Sequence, residues 1–396
     1  MSDDAAPAPH TRTLEILGDL LATRTPTNTP NLEAIEYIEE LLRPLGAEMH
    51  RSYDETGTKA NLLARLGPDT GPGLMLSGHT DVVPVEGQSW RTDPWAYTRE
   101  GERIYGRGAC DMKGYLACML ALAERLDPAG LPGPLFLAFS YDEEIGTRGV
   151  RGLIDQFADL GHTAELCVVG EPTQMRVGVG HKSILQGTCT VTGSEAHSSL
   201  EPQAANALYG AARLIGKLEE MELERESAGP CDAGYDVPHS TVQAAIIEAG
   251  VALNIVPKTA SFGFEFRCIP GEDPQALLEE FRAYGEREVL PDLRRRAGDA
   301  AIDWTVDIEG PGLDMPADHP GVRRMLAAAG EAEVSRMPYA TEAGRFQLAG
   351  IPAVLCGPGN IEQAHKPDEY ITIDQLARCE HVLERLLGAT TAGRSR

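Results

Sequence analysis

The sequence predicts an α/β protein: a mainly parallel sheet flanked by helices, interrupted by a self-contained α+β insertion of βαββαβ, ferredoxin-like order. Three observations carry this expectation. Short apolar runs alternate with amphipathic stretches up to about residue 181. Near Lys182 the order changes to strand, helix, two strands, helix, strand. After Pro311 the helix and strand alternation resumes, and AVLCGPG (353–359) returns a strand to the first sheet. The first domain is therefore expected to be discontinuous, residues 1–181 and 311–396, around an inserted domain at 182–310.

The elements follow from periodicity. Residues 11–23 and 31–43 space Leu, Ile and Tyr as helices do. ANLLARL (60–66) and LMLSGH (74–79) read as strands, and the apolar stretch from Met112 to Leu126 as a long helix. PLFLAFS (134–140) is a strand, Val150–Leu160 a helix, and ELCVVG and MRVGVG two more strands. In the insertion, SILQGTCTVTG, STVQAAIIEAG, TASFGFEFRCI and AIDWTVDIEG are strands, with helices expected at 204–221 and 274–290. The first ten residues are low in complexity and are expected to be disordered.

Bulk properties exclude several classes. A formal net charge of -25 argues against nucleic acid, whose phosphates need a basic face. No apolar run approaches the roughly 20 residues of a membrane span, so no membrane partner is expected. Residues Met1–His10 carry neither the basic nor the apolar region of a signal peptide, which leads to an expectation of the cytoplasm. None of the eight cysteines is spaced C-x-x-C, and reduced, buried thiols are expected.

Five segments end apolar runs with acids or histidine: LMLSGHTD (74–81), GRGACDMKG (106–114), FSYDEE (139–144), VVGEP (168–172) and QAHKPDEY (363–370). They offer His79, Asp81, Asp111, Glu143, Glu144, Glu171 and His365. Two imidazoles and a surplus of carboxylates suit two divalent metals, and the mixed N/O set favours zinc, with cobalt or manganese as alternatives, over calcium or magnesium. Such a pair, roughly 3.5–4 Å apart, needs one carboxylate between the ions and another left unligated as a base. In parallel α/β sheets, ligand sites form beyond the carboxyl ends of strands, where His79, Glu143, Glu144 and Glu171 are all expected. Each residue also has a plainer reading. His79 and Asp81 could cap a strand end, Asp111 could be a helix N-cap, the acidic run 142–144 a solvated loop, and His365 a hydrogen-bonded structural residue. Other chemistries lack their motifs: there is no G-x-S-x-G elbow, no H-E-x-x-H, no G-x-G-x-x-G, and Asp69-Thr-Gly occurs once.

Taken together, SGHTDVVP, GRGACDMKG, DEE, GEP and AHKPDEY resemble the motifs of the M20 metallopeptidases and deacylases, dimeric di-zinc amide hydrolases, with the likeness running from about residue 10 to 390. The resemblance implies that His79 and Glu171 hold one metal and Glu144 and His365 the other, with Asp111 bridging. It implies that Asp81 orients His79, that Glu143 is the general base, and that the peptide bond after Asp111 is cis. It makes the insertion a dimerisation and lid domain, and a homodimer the expected assembly. His197, in GSEAHSS, would reach the partner's site and stabilise the tetrahedral intermediate; read alone it is a histidine in a polar turn. The implied substrate is a small-molecule N-acyl amino acid. Asn254 and Arg267 would hold its carboxylate, although a surface ion pair is the plainer reading of Arg267. Gly357 and Gly359 could offer backbone N–H groups to a carboxylate or simply form a turn. Glu342 could pair a substrate side-chain ammonium or be a helix N-terminal acid.

Overall fold

The structure is a computed structural model and describes residues 8–388. It divides into two compact units. The first comprises the chain up to Gly180, Leu313–Arg336 and the chain from Thr341 on; the second comprises His181–Gly312 with Met337–Ala340. Residues 1–7 of the segment expected to be disordered lie outside the described residues, whereas His10 is the N-cap of the first helix and accepts from Arg12 N–H.

The first unit carries a nine-stranded sheet. Its strands are β1 (Glu48–Tyr53), β2 (Ala60–Leu66), β3 (Gly73–His79), β6 (Leu135–Ser140), β7 (Ala164–Pro172), β8 (Gly178–His181), β13 (Leu313–Asp314), β14 (Ser335–Met337) and β15 (Ala353–Gly357). Their spatial order is β1-β2-β6-β3-β7-β15-β8-β13, with β14 also on β8. The four central strands β6, β3, β7 and β15 are parallel. Strands β1 and β2 are antiparallel additions on one side, and β8 pairs antiparallel with β15 on the other. β3 and β6 are buried at every position, which explains why they read as unbroken apolar runs rather than as alternation.

Helices α1 (Thr11–Ala22), α2 (Leu32–Leu42), α3 (Gly114–Arg125), α4 (Val150–Asp159), α8 (Pro320–Ala329), α9 (Ala343–Leu348) and α10 (Ile373–Leu387) complete this unit. α3 is apolar on all sides because it is enclosed: Gly114–Ala123 are buried, and it packs on α1, α2, α10 and strands β3 and β7. Two close approaches demand glycine. A Cβ on Gly170 would stand 2.1 Å from the Tyr115 ring of α3, and one on Gly357 would stand 1.9 Å from the Gly170 carbonyl oxygen. A separate three-stranded antiparallel sheet, β4 (Thr98–Glu100), β5 (Arg103–Tyr105) and β16 (Tyr370–Thr372), pairs Tyr105 with Tyr370. It brings together the GRGACD and HKPDEY segments, which are far apart in sequence.

The second unit contains β9 (Ile184–Thr192), α5 (Ala207–Ala228), β10 (Thr241–Ala249), β11 (Thr259–Arg267), α6 (Pro274–Tyr284), α7 (Leu290–Arg294) and β12 (Ala301–Gly310). Its sheet has the order β10-β11-β9-β12, antiparallel throughout. That is the ferredoxin-like arrangement of a βαββαβ chain. Phe262, Phe264 and Phe266 alternate on β11 and face the helices. Phe281 stacks edge-on to Phe264 at 5.8 Å and to Trp304 at 4.8 Å. α5 runs seven residues past the expected end at 221, as a charged extension. Among the described residues, no helix is long and apolar enough to cross a membrane.

Candidate metal centre

The carboxyl ends of the parallel strands and two loops of the first unit bring the predicted residues together. Strand register sets His79 of β3 beside Ser140 of β6, and Ser77 of β3 beside Val169 of β7. Glu143 and Glu144 therefore leave the sheet next to His79 on one side, and Glu171 next to it on the other. Asp111 arrives from the turn before α3, where its φ of -125° and the cis Asp111–Met112 bond redirect the chain. His365 arrives from the loop before β16 with φ of 61°, its side chain half exposed.

His79 Nδ1 lies 2.8 Å from the main-chain oxygen of Asp81. That oxygen only accepts, so Nδ1 carries a proton and Nε2 points inward, where it can offer a lone pair to a cation or, without one, a proton to Asp111. The Asp81 carboxylate stands 3.6 Å from the same ring nitrogen. Its oxygens accept from the backbone N–H of Glu143 at 3.1 Å and of Glu144 at 3.3 Å. Asp81 thus touches His79 mainly through its backbone and uses its side chain to fix the Glu143–Glu144 turn.

Asp111 directs one oxygen to each imidazole: Oδ1 is 3.2 Å from His79 Nε2 and Oδ2 is 3.3 Å from His365 Nε2. Glu171 Oε1 lies 3.9 Å from His79 Nε2, and Glu144 Oε2 lies 3.0 Å from His365 Nε2. Two groupings, His79 with Glu143 and Glu171 and His79 with Asp111 and Glu144, each hold a set of donor atoms within 4.8 Å of one another. Glu171 Oε1 is buried with no hydrogen-bond partner among the described residues. A buried acceptor without a partner is costly unless a cation or proton serves it. The donor set therefore fits divalent metal ions.

The titration behaviour reflects this crowding. Burial raises the Glu143 and Glu171 carboxyls well above their usual range, with neighbouring carboxylates adding to it. Burial, then the Asp111 charge, lifts Glu144 to about 7. Hydrogen bonds to Asp111 and Glu144 lift His365 to about 11. Burial also pushes Asp111 upward, but hydrogen bonds from His365 and His79 outweigh it and hold Asp111 below the usual range. A carboxyl raised from 4.5 to about 7 binds more protons folded than unfolded across that window, so its stabilising contribution is full below 4.5 and lost as pH rises through 7. The shift on His365 acts in the same direction at higher pH. Chelator-treated protein is accordingly expected to lose melting temperature between pH 5 and 8, and saturating zinc is expected to flatten that slope. A melting temperature independent of pH in the chelated protein would contradict this balance of charges.

Three groups expected to contact substrate are engaged within the chain. Glu342 is fully buried beneath the strands, and both carboxylate oxygens are occupied, accepting from Ser77 Oγ at 2.6 Å and Ser140 Oγ at 2.7 Å. It has no exposed edge for a substrate ammonium and makes no side-chain cap on α9. The backbone N–H groups of Gly357 and Gly359 are likewise taken, by Thr173 Oγ1 at 3.2 Å and Gln375 Oε1 at 3.1 Å. His197, Asn254 and Arg267 belong to the second unit. His197 and Asn254 are both exposed and adjacent there: the residue after His197 donates its N–H to the Asn254 carbonyl at 3.0 Å, and His197 Nδ1 is 2.8 Å from Ser199 Oγ. Arg267 ends β11 and pairs with Glu265 at 3.0 Å, as its plainer reading anticipates.

Periodicity gave no sign of several residues that shape the centre. Lys59 makes a buried pair with both oxygens of Asp142, at 2.7 and 2.6 Å, next to Glu143. Arg107 and Glu369 form another, each side chain 1% exposed. Both of these lie inside quoted motifs, so a charged residue in an otherwise apolar motif was the available signal; Lys59 carried none.

The model of the peptidase family M20/M25/M40 matches residues 75–389. A protein of Myxococcus xanthus named acetylornithine deacetylase is 35% identical over 389 residues, covering 96% of this chain and 97% of that protein. Among solved structures, an M20 family metallo-carboxypeptidase from Sulfolobus solfataricus superposes with a TM-score of 0.76 at 20% identity, covering 96% of this chain and 99% of that one. A Bacillus subtilis protein described as a dinuclear metal binding peptidase from the M20 family does so with a TM-score of 0.69 at 17% identity, covering 96% and 97%. The likeness spans the whole fold and includes the segments that build the metal centre, and the chain belongs to the peptidase family M20/M25/M40.

Proposed function

We propose that this hydrolase removes the acetyl group from N2-acetyl-L-ornithine, giving acetate and L-ornithine, a step of arginine biosynthesis. The observation that carries the chemistry is Asp111 reaching one imidazole with each oxygen while Glu171 keeps a buried oxygen without a partner. The finer substrate assignment is supported by the name of the 35% identical relative and by the segments GEPTQMRVGVGHKS, YATEAGRFQLAGIP and CGPGNIEQAHKPDEY.

His79 and Glu171 would hold one ion, Glu144 and His365 the other, and Asp111 would serve both; zinc suits this donor set, and cobalt is the alternative. When bound, such a pair lowers the pKa of a water toward roughly 7 and polarises the acyl carbonyl. Glu143 takes the proton from the attacking water as its oxygen adds to the acetyl carbon. As the C–N bond breaks, Glu143 passes that proton to the departing amine. Its buried position, which raises its affinity for a proton, suits it to carry one between the two steps. Asp81 keeps the Glu143 backbone in place throughout. His197 would donate to the developing oxyanion, and Asn254 and Arg267 would receive the substrate carboxylate.

The second unit would supply the interface of a homodimer. Ile246, Ile247 and Leu253, on the β10 edge and the loop after it, are 67%, 50% and 104% exposed and are what such an interface would cover. Light scattering that gives the monomer mass would remove this part.

The test of specificity is kcat/KM for a panel: acetylornithine, acetylcitrulline, succinyl-diaminopimelate, acetylmethionine and a dipeptide. Acetylornithine is expected to lead. Preference for another member would keep the metal chemistry and replace the substrate with a desuccinylase, N-acyl amino acid deacylase or peptidase activity. No turnover of any member would favour a non-catalytic binding role on the same fold.

A further inference from the structure

A chain of polar contacts in the first unit, buried at its Asp111 end and exposed at its His365 end, joins the two residues from behind. Glu369 Oε1 accepts from the backbone N–H groups of Cys110 at 2.9 Å and Asp111 at 3.1 Å. Glu369 Oε2 accepts from Arg107 Nη1 at 2.6 Å. Arg107 Nη1 also reaches the Lys366 carbonyl at 3.4 Å, and its Nη2 donates to Gln88 Oε1. Gln88 Nε2 then donates to the His365 carbonyl at 2.9 Å. The Arg107 guanidinium lies 5.1 Å from the centre of the Trp90 ring, and Trp90 Nε1 donates to the same Gln88 oxygen at 3.1 Å.

Each link bears on a group that faces the metal centre. One end grips the backbone of Asp111, whose two oxygens face the two imidazoles. The other grips the backbone of His365, whose φ of 61° a non-glycine residue rarely adopts without surrounding support. A buried ion pair of the Arg107–Glu369 kind contributes little net stability, because desolvation offsets its attraction. What it does supply is fixed geometry: a planar guanidinium held by a carboxylate, a carbonyl and an amide oxygen allows few arrangements. Groups behind metal ligands set their orientation, and losing one typically weakens binding by about 10–100-fold.

Resting on the two-metal reading above, we infer that Arg107, Glu369 and Gln88 are positioning residues that hold Asp111 and His365 at the separation required by the metal position His365 serves. Loss of Gln88 or Arg107, which reach the His365 loop and leave the Glu369 contacts with the Asp111 backbone in place, selectively weakens that position and spares the one served by His79 and Glu171.

The experiment is a zinc titration against a competing chelator, repeated with cobalt by visible absorption, on the full-length wild type, Gln88→Leu and Arg107→Lys. Wild type is expected to bind two ions. Each variant is expected to keep one at wild-type affinity and to bind the other about 10–100-fold more weakly, with an altered cobalt spectrum. Gln88 is only half-buried, so Gln88→Leu decides alone should Arg107→Lys fail to fold. A merely structural role would lower the melting temperature and leave both affinities unchanged. Two ions at wild-type affinity in folded Gln88→Leu overturn the inference while leaving the two-metal reading intact. A wild type that binds fewer than two ions overturns both.

Discussion

Glu143→Gln is expected to keep both metal ions and to lower kcat by about 10²–10⁴-fold, the usual contribution of a positioned acid–base group. The substitution preserves size and leaves the backbone N–H bonded to Asp81 at 3.1 Å, so the turn carrying Glu144 stays in place. It removes the one property the reaction needs there, a carboxylate that can take a proton and return it. KM is expected to change far less than kcat, because the group acts on the transition state rather than on binding. Metal content by elemental analysis and steady-state kinetics on the same preparation check this. Normal turnover in a variant with full metal would remove Glu143 from the mechanism.

Asp111→Ala is expected to act at the other extreme, costing both ions and, with them, turnover. Its oxygens lie 3.2 Å from one imidazole and 3.3 Å from the other, so a single truncation takes a ligand from each side. What remains is one histidine and one carboxylate per ion, fewer than the three protein ligands usual for catalytic zinc. The loss is expected to exceed the roughly 10–100-fold effect of removing a group behind a ligand. Fewer than one ion per chain after gel filtration, with unchanged far-UV circular dichroism, is the expected result. Retention of two ions and substantial turnover would contradict the shared-ligand arrangement.

The parts of this molecule that periodicity revealed are those whose surroundings are uniform. β3 and β6 are buried on both faces and read as apolar runs; β11 alternates because one face meets helices. The short strands were not legible. β1 is a half-exposed edge with the polar sequence EMHRSY, and β4, β5 and β16 have three residues each, too few for any period to register. The far end of α5 was missed because its charged residues lie beyond the last buried side chain, Met221. At the centre, residue types and strand ends located the acids and histidines. Availability was another matter. Glu342 is spent on Ser77 and Ser140, and Gly357 and Gly359 on Thr173 and Gln375. Apart from Gln375, 16 residues from Gly359, these partners lie 184 to 265 positions away and become neighbours only through the sheet, so no local pattern could reveal that these groups were already satisfied.

The most direct test of the two-metal reading is turnover of acetylornithine, or of the best substrate in the panel, while zinc is titrated into chelated, refiltered protein. Activity is expected to be absent at the start and to reach its plateau at about two equivalents per chain. Full activity in protein shown to contain no metal would contradict it.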